Sequence, residues 1–460
     1  MTAGATGVLI RTGRHVRPVR PGGRTRDALR HWAPLLPAVA VLALLAVPAA
    51  PAGDGSAGTG TVADAASGLL VLHCLVRVLR ERARPLTRTA ALVLGLPVLG
   101  VSVAAITSHD PAASLPGVAR YLQIFVLVPA ALLLLIRDRR DFRLVAGSVV
   151  ALALVQGTVG VVQYLTGTGA SYRGEDIRAV GTFGPTDVMG MATVVAYGLV
   201  IAVGYALGQG GDAPPGQRAV ALACAGLLSV PLVLSFSRGA WIATVAALVL
   251  QLAVSGLRRA ARIALVAGAL GVVLVGGLGI GSQMITERLD SITRVTDAPD
   301  QSVTDRYTMW AAATDMWREE PVTGVGLKGF PAYRDSHASL ALSSGSDTEG
   351  AGMGFQRQPL LSPHNMYLLV LSEQGLIGAV ALVGSWAMLL VRTLRRLPGA
   401  RRTRTGADCA LAVTGLLAWQ LVDFGYADIG GPSTVLTAVM LGLAAWWALD
   451  RRANSGAAPA

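Results

Sequence analysis

The chain is 460 residues long, 53% hydrophobic and only 14% charged, with a mean hydropathy of +0.55. That balance excludes an ordinary soluble domain. A formal net charge of +12 would suit a nucleic-acid partner, but the placement of the basic residues gives them another purpose, and no nucleic acid is expected.

In chain order, residues 1–32 form an Arg-rich segment. Apolar blocks of roughly 20 residues follow, the length of a helix crossing ~30 Å of hydrocarbon. Twelve are read, at 33–52, 62–80, 89–107, 118–136, 143–165, 187–207, 218–234, 238–256, 260–281, 364–391, 407–424 and 431–449. The second is the weakest, because Asp64, His73 and Arg77 interrupt it. In lipid every backbone amide must be paired internally, so these blocks are read as helices rather than open strands. The N-terminal run ending in Ala50-Pro51-Ala52 imitates a signal peptide. It is long for one, so an uncleaved first helix is expected. Cys74, Cys224 and Cys409 fall in or at the edge of separate blocks, which gives neither a disulfide framework nor a metal-binding spacing.

Charge sets the expected orientation. With a cytoplasmic N-terminus, 27 of the 39 basic residues fall on the cytoplasmic side, as the positive-inside rule requires. The opposite loops 53–61 and 108–117 carry no Arg or Lys. The expected fold is an all-α integral protein of the cell membrane with about 12 transmembrane helices. Helices one to nine occupy 33–281, one large extracytoplasmic loop 282–363, helices ten to twelve 364–449, and a cytoplasmic tail 450–460.

Four segments expected on the outer side carry polar chemistry. Ser235-Phe236-Ser237-Arg238-Gly239-Ala240-Trp241 joins two spans so tightly that Arg238 falls at or just inside the boundary. A charge at such depth is costly and usually faces a cavity or a partner, although arginine also snorkels to headgroups. The flanking Ser and Gly leave room for an anion beside the guanidinium. From Ser302 to Pro321, Ser302 and Asp305 resemble a capping box and Pro321 ends the run. Val303, Tyr307, Trp310, Thr314 and Trp317 recur at helical spacing, which predicts a short amphipathic helix lying in the interface. Arg306 borders that stripe, where a solvated face or a pair with Asp305 is as good a reading as ligand binding.

Gly324-Val325-Gly326-Leu327-Lys328-Gly329 has the GxGxxG spacing but not the flanking strand and helix of a dinucleotide site, so it reads as a turn. Lys328 is the only lysine in the chain. Residues 335–358, rich in Ser, Gly and Ala, read as a mobile flap. Finally, Pro363-His364-Asn365 opens the tenth span. Histidine titrates near neutral pH and can exchange protons at a membrane boundary, though an interfacial or helix-start role also fits. Glu373, nine residues on, falls on the opposite helix face and ~13 Å deeper. It is expected to pair with another helix rather than to orient His364.

Together, SFSRGAW at 235–241, DRYTMW and EEPVTGVGLKGF between 305 and 330, and PHNMYLLVLSEQGLIG at 363–378 resemble the O-antigen ligase and polymerase-related superfamily of polytopic membrane glycosyltransferases. Their order, their spacing and the large loop before the His-bearing helix match as well. Gly181-Thr182-Phe183-Gly184-Pro185-Thr186 resembles a further segment, departing from the Asn-Pro-Asn more usual there. The resemblance covers about residues 180–390. It implies transfer of a glycan from a polyprenyl diphosphate carrier to a glycan, lipid or protein acceptor outside the cytoplasmic membrane. It also implies that Arg238 and Arg306 bind the diphosphate and that His364 is the catalytic base. Two guanidiniums can neutralise a diphosphate leaving group and keep a nearby imidazole neutral. No metal and no cofactor is therefore expected. A polysaccharide polymerase uses the same donor chemistry. A lipid-linked sugar transporter or flippase would instead show broken helices and internal repeats; no repeat is visible, although Asp423 and Glu373 are candidate buried acids. A catalytically inactive scaffold is the third alternative.

Overall fold

The computed structural model describes residues 31–48, 61–81, 86–172, 177–185, 187, 189–208, 215–256, 301–431, 433–450 and 452–453. The expected ninth span (260–281), residues 282–300 of the expected loop, the Arg-rich segment 1–30 and most of the tail lie outside the described residues.

The helices, in order, are α1 (Leu36–Leu44), α2 (Val62–Glu81), α3 (Arg88–Ile106), α4 (Pro111–Leu122), α5 (Val128–Leu135), α6 (Arg139–Thr166) and α7 (Gly190–Leu207). They continue with α8 (Gln217–Leu234), α9 (Arg238–Ser255), α10 (Gln301–Glu319), α11 (Phe330–His337), α12 (Met366–Thr403), α13 (Ala407–Asp423) and α14 (Thr434–Leu449). A π-helical turn, Gln123–Leu127, fuses α4 and α5 into one span. Among the described residues, eight helices are long and apolar enough to cross a membrane. The first expected span is shorter than 33–52: the helix covers Ala33–Leu44, and Pro48 shortly afterwards cannot continue it. The fourth begins at Pro111 rather than 118.

Burial sorts the helices. Residues of α7, α13 and α14 are almost all buried, which is why their apolar residues run all round instead of forming one stripe. Outer helices leave large apolar side chains uncovered, such as Leu69, Leu72, Leu227, Val245 and Val249. These faces suit hydrocarbon. Between α3 and α12 the backbones nearly touch: a Cβ added to Gly100 would lie 2.8 Å from the Gly378 Cα. Small residues permit such approaches where dispersion drives helix packing. Some polar groups inside the bundle are matched across helices. Gln251 Nε2 donates to the carbonyls of Val200 and Leu411 (2.9 and 3.0 Å), and Arg143 Nε reaches Asp408 at 2.8 Å.

Two features amend the all-α expectation and place the loops. First, the stretch read as a flap contains α11 and a hairpin, β2 (Ser346–Gly350) and β3 (Met353–Gln358). The hairpin pairs antiparallel with β1 (Ala170–Tyr172), from the connection between α6 and α7, in the order β1-β2-β3. Second, α12 is broken at Gly375, whose φ of 59° and ψ of −161° interrupt the helical hydrogen-bond ladder. The turn 321–326 fills the gap. Val325 N and Gly326 N donate to the Ser372 and Glu373 carbonyls (2.9 and 3.1 Å), while Leu376 N and Ile377 N donate to Pro321 and Val322 (3.0 and 3.3 Å). Gly324 presses on the Glu373 backbone, where a Cβ would come within 2.5 Å. The GxGxxG spacing thus serves a backbone splice. Glu373 meets another helix, though the short α11 rather than one of the spans: its Oε1 accepts the Phe330 N–H at 3.2 Å, holding the start of α11.

Candidate active site

The site forms at the end of the bundle where α9 starts, α12 starts and α13 stops. The helix boundaries follow from local chemistry. Ser237 is the N-cap of α9, its hydroxyl accepting Ala240 N–H at 3.4 Å. Asn365 caps α12, its Oδ1 accepting Leu368 N–H at 3.1 Å. Arg238 is therefore the first residue of α9, and His364 stands immediately before the cap of α12. Both approaches to these caps carry unusual backbone: φ is 49° at Phe236 and 48° at His364. Non-glycine residues in this left-handed region store local strain, and His tolerates it better than most.

The connection between α13 and α14 is the hub. Met366 N donates to the Phe424 and Ala427 carbonyls (2.8 and 3.0 Å), and Asn365 Nδ2 donates to Gly425 at 3.1 Å. On another side, Tyr426 packs against the start of α9: a Cβ on Gly239 would lie 3.3 Å from its Cβ. The same loop extends to Gly431, whose carbonyl accepts from Arg120 Nη2 at 3.3 Å. Arg120 is itself paired with Asp64, one of the residues that weakened the second span. Asp187 ties in the connection before α7, its Oδ2 accepting Ser433 N–H at 3.0 Å. Burial pushes the Asp187 carboxyl above its usual range despite that bond.

Arg306 comes from α10. The buried face of that helix is Asp305, Thr308, Met309, Ala312, Ala313 and Met316. The aromatic stripe is the less covered face, with Tyr307 51% exposed. Trp310 reaches inward from its margin, and its Nε1 donates to the Pro363 carbonyl at 2.8 Å. One helical turn from Arg306, this bond fixes the peptide that leads into His364. Asp305 anchors the other side by accepting Ser343 N–H and Ser343 Oγ–H (2.9 and 2.7 Å).

The charges converge on His364, which is partly buried. Burial pulls its pKa below the ordinary value, the Asp428 carboxylate pulls it up, and the Arg306 guanidinium pulls it down; the net direction is down. Asp423 shares this field with Asp428 and Arg306. One oxygen each of Asp423 and Asp428 is buried with no hydrogen-bond partner among the described residues. Of the three residues singled out by sequence, the Arg306 charge bears on His364, whereas Arg238 is placed by its position at the start of α9, beside Gly239, which faces Tyr426. Asp428 was not singled out. Its signal is compositional: Asp423-Phe424-Gly425-Tyr426-Ala427-Asp428-Ile429-Gly430-Gly431 is a Gly- and Asp-bearing run between two largely apolar blocks.

Residues 223–383 match the family model described as O-antigen ligase. These residues belong to that family. The O-antigen ligase segment holds Arg238, Arg306 and His364, whereas Asp423 and Asp428 lie beyond it. With its apolar helices, the chain is an integral membrane protein, and the match supports an enzyme of the O-antigen ligase/polymerase type in polysaccharide biosynthesis. No curated protein matches the chain.

Proposed function

We propose that the protein transfers a glycan from a polyprenyl diphosphate carrier to an acceptor hydroxyl at the outer face of the cytoplasmic membrane, with both termini in the cytoplasm. The observation that carries this reading is the placement of His364, partly buried just before the cap of α12, where burial and then the Arg306 charge favour its neutral form. A neutral imidazole can take the proton of a poor hydroxyl nucleophile. Arg238 and Arg306 bind the diphosphate and meet the charge that grows on it, through planar donors suited to phosphate oxygens.

The step balances in one displacement. The acceptor oxygen forms a bond to the anomeric carbon, whose bond to the diphosphate oxygen breaks with its electron pair. The hydroxyl proton passes to His364, and the anomeric configuration inverts. The leaving group needs charge neutralisation more than protonation, which two guanidiniums supply without a metal. The Asp428 carboxylate limits how far burial and Arg306 depress the imidazole, keeping it basic enough to accept the proton. The carrier lipid approaches between α9 and α12, whose exposed apolar side chains include Val245, Val249, Leu376 and Val380. The break in α12 is the feature a transporter reading would claim. Its backbone groups are paired with the turn 321–326 instead of lining a path, which favours the transferase.

The test is reconstitution of the purified chain in lipid vesicles with a polyprenyl-diphosphate glycan and an acceptor saccharide. The expected result is an elongated acceptor with inverted linkage, formed equally with and without a chelator. No product from any lipid-linked donor, or loss of product on chelation, would contradict the reading.

A further inference from the structure

The hairpin borders a groove that the proposed chemistry does not use. Its cavity of about 340 Å³ is lined by Ser343, Ser344, Asp347, Glu349, Phe355 and Arg357, among others. We propose that this groove is a saccharide subsite, holding sugars of the transferred or receiving chain beside the reacting centre; the assignment rests on the transferase reading above.

Four observations lead there. Its lining mixes hydroxyls, carboxylates and a guanidinium with one aromatic ring, the combination that recognises sugars. Vicinal hydroxyls match the two oxygens of a carboxylate or the fork of an arginine, and the C–H face of a pyranose packs on an aromatic ring. Phe355 supplies that ring, and it is 65% exposed, left uncovered among the described residues.

The polar groups are also set in place. Arg357 donates to both oxygens of Asp347 (2.7 and 3.1 Å) and to Ser344 Oγ (2.9 Å). Fixing polar side chains before binding reduces the entropy lost on association. Charge argues for a neutral ligand, since two carboxylates outnumber one guanidinium. A phosphate or an anionic lipid headgroup would meet net repulsion there.

The groove is joined to the reacting centre at both ends. Ser343 is bonded to Asp305, the neighbour of Arg306. On the other side, β3 ends at Gln358, six residues before His364, so the connection spans at most about 20 Å. Pairing of β2 with β1 makes the groove wall part of a sheet rather than a free loop.

The test measures binding apart from catalysis. Oligosaccharides cut from the source cell's own surface polysaccharide, with and without a reducing-end phosphate, are titrated against the purified chain by saturation-transfer NMR. The proteins are wild type, His364→Ala, Phe355→Ala and Glu349→Gln. The proposal expects wild type and His364→Ala to bind alike, Phe355→Ala to bind at least tenfold more weakly and Glu349→Gln more weakly than wild type. Unfolding temperatures should stay the same, because both groove side chains are exposed. Preference for the phosphorylated fragments assigns the groove to the donor glycan, and preference for the others to the acceptor. Equal binding by wild type and both groove variants, or no binding by wild type, overturns the proposal. Saccharide binding without transfer by wild type would sink the transferase reading and leave the subsite standing.

Discussion

Replacing Trp310 with Phe keeps a ring in the same place and removes one N–H. That N–H donates to the Pro363 carbonyl at 2.8 Å, and Pro363 is buried. A buried carbonyl left without its donor costs about 1–3 kcal/mol. The affected peptide enters His364, whose backbone already sits at a φ of 48°. If that whole cost raises the barrier, kcat falls roughly 5- to 140-fold, at about 1.4 kcal/mol per tenfold. Trp317→Phe is the matched control: it removes an indole bond of 3.2 Å to the Pro321 carbonyl on the same helix, in an exposed setting. It is expected to stay within twofold of wild type. The assay is steady-state transfer in vesicles, alongside the unfolding temperature of each variant. Equal kcat values for the two variants would refute the idea that α10 positions the base through Trp310.

Further outcomes follow from the same geometry. Arg306→Gln removes a cation that lowers the His364 pKa, so the acid limb of the residual rate profile should move to higher pH; Asp428→Asn removes an opposing charge and should move it lower. Shifts of the same sign in both would contradict the assignment. Because the folded pKa of His364 lies below its unfolded value, the unfolded chain binds that proton more readily. Its contribution to stability is thus lost as pH falls below ~6.5, measurable as a declining unfolding temperature that His364→Ala flattens. Gly375→Ala would place a Cβ 2.3 Å from the Val322 carbonyl at a φ of 59°. It should destabilise the splice by several kcal/mol, seen as poor yield and a lower unfolding temperature. Asp305→Ala frees Ser343 and should speed limited proteolysis within 335–358, while Asp315→Ala, half-exposed on the same helix, should not.

Much of the membrane architecture was legible because hydrocarbon imposes a length and a composition together. Spans such as 62–80, 143–165 and 218–234 appear within one to four residues of α2, α6 and α8. Arg238, Arg306 and His364 stood out because polar residues at apolar boundaries are few, and their proposed roles came from the family resemblance. What stayed hidden is pairing between distant segments. Nothing local in Gly375 announces that residues 321–326 complete the helix it breaks, and nothing in Ala170–Tyr172 announces a partner at Ser346–Gly350. Glu373 was only half legible for the same reason: the helix it meets is the short α11, brought to it by the turn 321–326, and not one of the spans. The aromatic stripe of α10 was a true periodicity, yet the face packed on the protein is the one of Met309, Ala312, Ala313 and Met316. Small residues can seal an interface without standing out in a hydrophobic pattern.

The central claim is that His364 removes the acceptor proton, and one comparison tests it most directly. Wild type and His364→Ala are reconstituted at equal density, with insertion and donor binding verified first, and transfer is then measured from a polyprenyl-diphosphate glycan. The account predicts equal donor binding and a transfer rate reduced at least a hundredfold, from the loss of general-base assistance. Near-normal transfer by His364→Ala would contradict it.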